Sequence, residues 1–150
     1  MSSYVSLPIF SASIRERYRL EEPRCSVCST LNLPARMVCM ECGSEDFRWE
    51  TLKGKGRLFT YTVIARGGAP SEFDEQQTMT GVIAVGIVEL EEGARVVAQI
   101  TDCQPEDLKV GTPLRAVFRK LYDQEGVVRY GYKFVPDRQE ESVTHGSGAH

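Results

Sequence analysis

Histidine is nearly missing from these 150 residues: there are two, His145 and His150, both in a polar C-terminal stretch. That scarcity excludes most Ser-His and Cys-His nucleophilic schemes, which need an imidazole beside the nucleophile. There is no excess of basic charge. The net charge is −3 and the pI about 5.5, which disfavours a general nucleic-acid or anionic-membrane binder. No apolar run approaches the roughly 20 residues that cross a bilayer. The first residues, Met1-Ser-Ser-Tyr-Val-Ser-Leu-Pro, show no basic segment followed by an apolar one, so the expected location is the cytoplasm. Five cysteines, an odd number, argue against a disulfide framework in that compartment.

What is present is uneven. A hydrophobic fraction of 41% with 26% charged residues predicts a folded, soluble chain. Residues 67–108 hold nine acids against one arginine, whereas 109–138 hold seven basic groups against three acids. Lys53, Lys55, Arg57 and Arg66 form a second basic stretch.

Residues 1–23 are expected to form a helical segment. Phe10, Ile14 and Tyr18 recur at i, i+4 over 7–21, Pro8 suits a first turn, and Pro23 ends the pattern. Residues 24–50 carry little core material and two Cys-x-x-Cys pairs. Residues 51–136 contain five runs rich in Val, Ile, Tyr, Phe and Thr: 57–65, 80–90, 95–100, 114–121 and 127–134. Glu91-Glu92-Gly93 and 123–126 read as hairpin turns, and Pro105-Glu106-Asp107-Leu108 as one helical turn. Five short antiparallel strands in this span predict a mainly β protein ending in a small closed barrel of the OB type. Residues 137–150 are expected to be a disordered tail.

The spacing Cys25-x2-Cys28-x10-Cys39-x2-Cys42 is the strongest chemical signal. Two residues between thiolates let one tight turn aim both sulfurs at a single ion, and two such turns complete a tetrahedron. Gly43 follows the last cysteine where the chain must reverse. Structural zinc is the preferred reading, and a rubredoxin-like iron site stays open. A thiol–disulfide pair is disfavoured, since that chemistry uses one Cys-x-x-Cys in a βαβ setting. Four thiolates leave no open coordination position. The fifth cysteine, Cys103, reads as a small buried residue rather than a nucleophile.

The order of parts then carries a resemblance. A helix, Cys-x-x-Cys, Leu33-Pro34-Ala35-Arg36, Cys-x-x-Cys-Gly-Ser-Glu-Asp and Gly54-Lys-Gly-Arg-Leu-Phe-Thr-Tyr-Thr-Val resemble the zinc-ribbon/OB-fold family known as domain of unknown function 35. Gly93-Ala-Arg-Val-Val and Asp107-Leu-Lys-Val-Gly-Thr-Pro-Leu fit the same pattern, and the likeness spans about residues 8–135. Met40 stands where proline often follows the third cysteine, and Ser29 where glycine often follows the second. The resemblance implies a rubredoxin-like zinc ribbon before the barrel and a non-catalytic partner of a thiolase-like subunit, with coenzyme A shared between them. Within the family the sequence resembles the small subunits of benzoylsuccinyl-CoA thiolases of anaerobic toluene degradation, which implies that role as an expectation.

Strand alternation adds candidate ligands. Arg115, Arg119, Arg129 and Lys133 fall on one face of the last hairpin, expected to be its outer one. Arg36, Arg66, Arg119 and Lys133 are the candidate ligands for CoA phosphates. Phe10, Ile14, Tyr18 and, in the long loop 66–80, Phe73 are the candidate partner contacts. A single-stranded nucleic-acid binder, with Phe59 and Tyr61 as stacking residues, and a rubredoxin-like electron carrier are the rival functions.

Overall fold

The computed structural model describes residues 8, 11, 13–65, 67–69, 73, 76, 79–124 and 127–138. Phe10, Arg66, parts of the long loop and the expected tail from residue 139 onward lie outside them. The chain divides into two compact units, Met1–Lys53 and Gly54–His150.

The first unit starts helically: of the expected helix over 7–21, residues 8, 11 and 14 are α-helical among those described, and Arg15–Arg19 form a π turn. That turn ends at Leu20, whose left-handed backbone (φ 53°) returns its N–H to the Arg15 carbonyl. The stop comes before Pro23 because the next residues are claimed by a sheet. Strand β1 (Glu21–Cys25) pairs antiparallel with β2 (Phe47–Thr51), placing Pro23 opposite Trp49 and Cys25 opposite Phe47. The Leu52 N–H donates to the Leu20 carbonyl at 2.9 Å, closing the open end of that hairpin. Ile14 is exposed and Tyr18 half-buried, so neither is a core anchor.

The second unit is a closed barrel of five strands: β3 (Lys55–Ala65), β4 (Val82–Leu90), β5 (Arg95–Ile100), β6 (Pro113–Gln124) and β7 (Val127–Pro136). Their order around the barrel is β3-β4-β5-β7-β6. The expected turn is present as a 3-10 turn, Pro105–Asp107, between β5 and β6. One pairing is not antiparallel as expected: β5 meets β7 in parallel, through Ile100 opposite Phe134. Placing the last strand between the third and fourth forces that orientation, since β6 and β7 form a hairpin and β6 runs antiparallel to β3.

The register puts Leu58, Val88, Leu114, Ile100 and Phe134 on one inward face, each at most 3% exposed. Gly86 sits among them because nothing larger fits. A Cβ there would stand 2.7 Å from Ile100 Cδ1 and 2.8 Å from Leu58 Cδ1. Leu108 is buried beside this core, and its carbonyl accepts the Tyr61 hydroxyl at 2.9 Å.

Candidate metal centre

Each cysteine pair lies in a turn of the same design. The Ser29 N–H donates to the Cys25 carbonyl (3.0 Å) and the Cys25 N–H to the Thr30 carbonyl (2.9 Å). In the second turn the Gly43 N–H donates to Cys39 (3.0 Å) and the Cys39 N–H to Ser44 (2.8 Å). Ser29 and Gly43 therefore hold equivalent places, and both are left-handed, at φ 63° and 72°. Serine carries a Cβ penalty there that glycine avoids. Replacing Ser29 with glycine is expected to stabilise the ribbon by about 0.5–1 kcal/mol. A higher thermal midpoint of the metal-loaded ribbon would register it.

These turns bring all four sulfurs within 4.8 Å of one another. Cys25 and Cys42 Sγ are 3.5 Å apart, as are Cys28 and Cys39. A tetrahedron with zinc–sulfur bonds of about 2.3 Å has sulfurs roughly 3.8 Å apart, so the donors fit such an ion. Cys25 and Cys39 are buried, Cys28 and Cys42 exposed.

The backbone prepares the sulfurs to be anions. The Cys42 and Glu41 N–H groups, and then Asn32, hold the Cys39 thiol down at about 6. The Cys28 and Val27 N–H groups lower Cys25 as well. Cys42 goes the other way: the Ser44 N–H lowers it, but lost hydration at its sulfur and the sulfurs of Cys25, Cys28 and Cys39 outweigh that and push it to about 12. Crowded anions of this kind are the condition a divalent cation relieves.

Asn32, fully buried, braces the second turn. Its Nδ2 lies 3.7 Å from Cys39 Sγ and 3.1 Å from the Thr30 carbonyl, while its Oδ1 accepts the Met40 N–H at 3.1 Å. Arg24 ties the sheet to the first turn, pairing with the Glu50 carboxylate and donating to the Ser29 carbonyl at 2.7 Å. Neither residue belongs to a recognisable motif, and the sequence alone does not single them out.

Glu22, 3% exposed in β1, is the odd group, with Oε2 lacking a hydrogen-bond partner. Burial, then the Glu16 carboxylate, raises its pKa from 4.5 to about 8. The folded ribbon thus keeps a proton that the unfolded chain releases, and the contribution of Glu22 to its stability falls as pH rises from 4.5 to 8. Glu22→Gln is expected to stabilise the ribbon by about 1–2 kcal/mol at pH 8, allowing for screening, and hardly at pH 4.5. Melting of wild type and variant across that range, followed at Trp49, checks the sign.

Four exposed apolar side chains flank the centre. Val27 lies inside the first turn, Met40 inside the second, and Met37 and Val38 just before Cys39; Met37 is 88% exposed and Val27 68%. Composition gave no hint of this patch, since apolar residues in so small a unit are ordinarily core.

The other candidates scatter. Arg36 is exposed in the ribbon loop. Arg119 is exposed, with Nη2 3.3 Å from Asp102 Oδ2. Lys133 and Arg129 share its face by register but are buried, at 6% and 8% exposure, so the expected solvated basic face is not formed as such. Lys133 Nζ meets Gln76 Oε1 at 3.4 Å, and burial lowers its pKa. Phe73 is half-buried, its ring edge-on to Tyr122 with centroids 5.4 Å apart. Cys103 is half-buried, and burial followed by Asp107 and Asp102 raises its pKa, keeping it a thiol at neutral pH.

Comparison with known proteins places this architecture. Residues 12–48 match the family model of the ChsH2 rubredoxin-like zinc ribbon domain, and residues 49–119 that of the ChsH2 C-terminal OB-fold domain. The chain is 42% identical over 126 residues to a DUF35 domain-containing scaffold protein of Methanocaldococcus jannaschii, covering 82% of this chain and 85% of that protein. The chain belongs to the DUF35 family. A second DUF35 scaffold protein, from Methanothermobacter thermautotrophicus, is 41% identical over 127 residues, covering 82% of this chain and 90% of its own. A probable enoyl-CoA hydratase alpha subunit of Thermomonospora curvata is 35% identical over 98 residues, 64% of this chain and 28% of that protein. A chain of the solved Ltp2-ChsH2(DUF35) aldolase shares the DUF35 fold, with TM-score 0.67 and 24% identity over 90% of this chain and 98% of that one. With the ribbon's four cysteines so arranged, structural zinc fits the family and the geometry together.

Proposed function

We propose that this chain is a non-catalytic scaffold subunit of a heteromeric, thiolase-type acyl-CoA enzyme. The observation that carries the reading is the ribbon surface: a closed set of four thiolates whose two turns, and the residues just before Cys39, leave Val27, Met37, Val38 and Met40 exposed. Exposed apolar clusters of this sort mark protein contacts, and methionine adapts its shape to a partner. Zinc held by four sulfurs supplies structure there, with no position for substrate or water. The thiol of Cys103 is held protonated, which suits no nucleophile. Relatives named scaffold proteins, and one named as an acyl-CoA enzyme subunit, support the same role.

Coenzyme A is the proposed ligand shared with the catalytic subunit, its phosphates taken by basic side chains such as Arg36, Arg66 and Arg119. Ile14 and Phe73 join the proposed contact surface. Assignment to a benzoylsuccinyl-CoA thiolase specifies the acyl group and rests on the sequence resemblance. Mixing the chain with a thiolase-type catalytic subunit from the same organism tests the proposal. One stable complex is expected, with kcat/KM for its acyl-CoA at least tenfold above the catalytic subunit alone, about 1.4 kcal/mol. A catalytic subunit equally active without this chain contradicts it, and a panel of acyl-CoA substrates decides the acyl group.

A further inference from the structure

Asn32 is a costly residue for its position. It is fully buried in a unit whose apolar core is chiefly Leu31, Leu52 and two of the cysteines. A primary amide withdrawn from water destabilises a fold unless hydrogen bonds replace the lost hydration, and an apolar side chain avoids that cost altogether. Every bond its side chain makes leads to the cysteine turns.

The two turns are alike within themselves but are held differently from outside. In the first, the N–H of Ser26, the residue after Cys25, donates to the Asp46 carbonyl at 2.9 Å, just beyond the end of the β1–β2 ladder. The second turn lies away from that ladder. There the N–H of Met40, the residue after Cys39, donates to Asn32 Oδ1 at 3.1 Å. The other end of the same carboxamide donates to the Thr30 carbonyl at 3.1 Å and to Cys39 Sγ at 3.7 Å. The Asn32 backbone is itself fixed, its N–H donating to the Pro23 carbonyl of β1 at 3.0 Å. Among the described residues, and apart from the sulfurs, these are the bonds that join the Cys39–Ser44 turn to the Cys25–Thr30 turn.

Cys39 also has a donor that Cys25 lacks. Each sulfur accepts backbone N–H groups of its own turn, from Val27 and Cys28 or from Glu41 and Cys42, but Cys39 receives the side-chain amide as well. Four thiolates outweigh the charge of one divalent ion, and N–H groups aimed at sulfur disperse that surplus. Outer partners of this kind carry about 10–100-fold in metal affinity.

We infer that Asn32 is a positioning residue of the metal centre: its carboxamide clamps the second cysteine turn to the first and donates to the Cys39 sulfur, and both contacts set how tightly the ion is held. Retention of the ion in this way is independent of the scaffold role.

Zinc and cobalt titrations of the full chain test this. Asn32→Leu fills the space but loses every side-chain bond, and should hold zinc about 10–100-fold less tightly in competition with a chelator. Asn32→Asp keeps the acceptor for the Met40 N–H but loses the donor to sulfur, and should weaken by about tenfold or more. Without that N–H the Cys39 thiolate is richer in electrons, so the sulfur-to-metal charge-transfer band of each Co2+-loaded variant should move to longer wavelength. Leu52→Ala is the control, because Leu52 follows the end of the β1–β2 hairpin opposite to Cys25: it should weaken binding and leave the band in place. A loss smaller than about tenfold in either Asn32 variant overturns the inference, and so does weaker binding with an unmoved band, the signature of lost packing alone. Should a variant take up no ion, exchange of the Asn32 side-chain protons in the metal-loaded wild type decides. Slowing by about 100-fold or more against a free primary amide supports the clamp, and faster exchange overturns it.

Discussion

Removing the metal is expected to unfold the ribbon and leave the barrel standing. The first unit buries few apolar side chains, chiefly Leu31, Leu52 and two of the ligands themselves, Cys25 and Cys39. So small a core cannot offset the entropy of ordering some thirty residues at roughly 1–2 kcal/mol each. Apparent binding free energies for zinc in small modules are about 10–16 kcal/mol, enough to decide the outcome. The barrel has its own core, of Leu58, Val88, Ile100, Leu114 and Phe134. The single tryptophan, Trp49, lies in β2 with Arg15 over its ring at 4.5 Å, so its fluorescence reads the ribbon alone. A strong chelator, or Cys39→Ser, should red-shift that emission fully while amides of β3–β7 stay protected. A demetallated chain with native Trp49 emission would show that the ribbon orders itself.

The second large effect concerns the apolar rim of the metal centre. Aspartate at both Met37 and Met40 should abolish the complex with the catalytic subunit, a loss of at least about 3 kcal/mol, since charge is driven into a surface that must lose water. Neither side chain is a ligand or a core residue, and both are exposed. Zinc content and Trp49 emission should therefore stay native, which separates lost docking from lost folding. Unimpaired assembly would assign the patch no part in the contact.

Much of this was legible in the residues. The cysteine spacing identified the metal centre because two tight turns are its sole geometric requirement, and local sequence specifies tight turns. The five barrel strands were visible because Val, Ile and aromatic residues dominate them; the structure lengthens β6 and β7 by a few residues. The ribbon hairpin was not visible. Glu21-Glu-Pro-Arg-Cys25 has neither alternation nor β-branched residues, and it becomes a strand only because Phe47–Thr51 and the metal turns hold it in place. The same pairing claims the chain from Glu21 onward, so the helical segment stops at Arg19 rather than running on to Pro23, an override of local propensity by distant partners. Burial on the outer face of β7 was equally hidden. Alternation placed Arg129 and Lys133 on the correct face, but whether a face meets water depends on what packs over it, as Gln76 does over Lys133.

Chemistry assigned to another polypeptide has a direct consequence for this one. The isolated, zinc-loaded chain should be incubated with acyl-CoA thioesters at high protein concentration, and released CoA counted against buffer. The account predicts no release above background, with turnover appearing once the catalytic subunit is added. Steady thioester cleavage by the chain alone, abolished by mutation of one of its own cysteines, would contradict it.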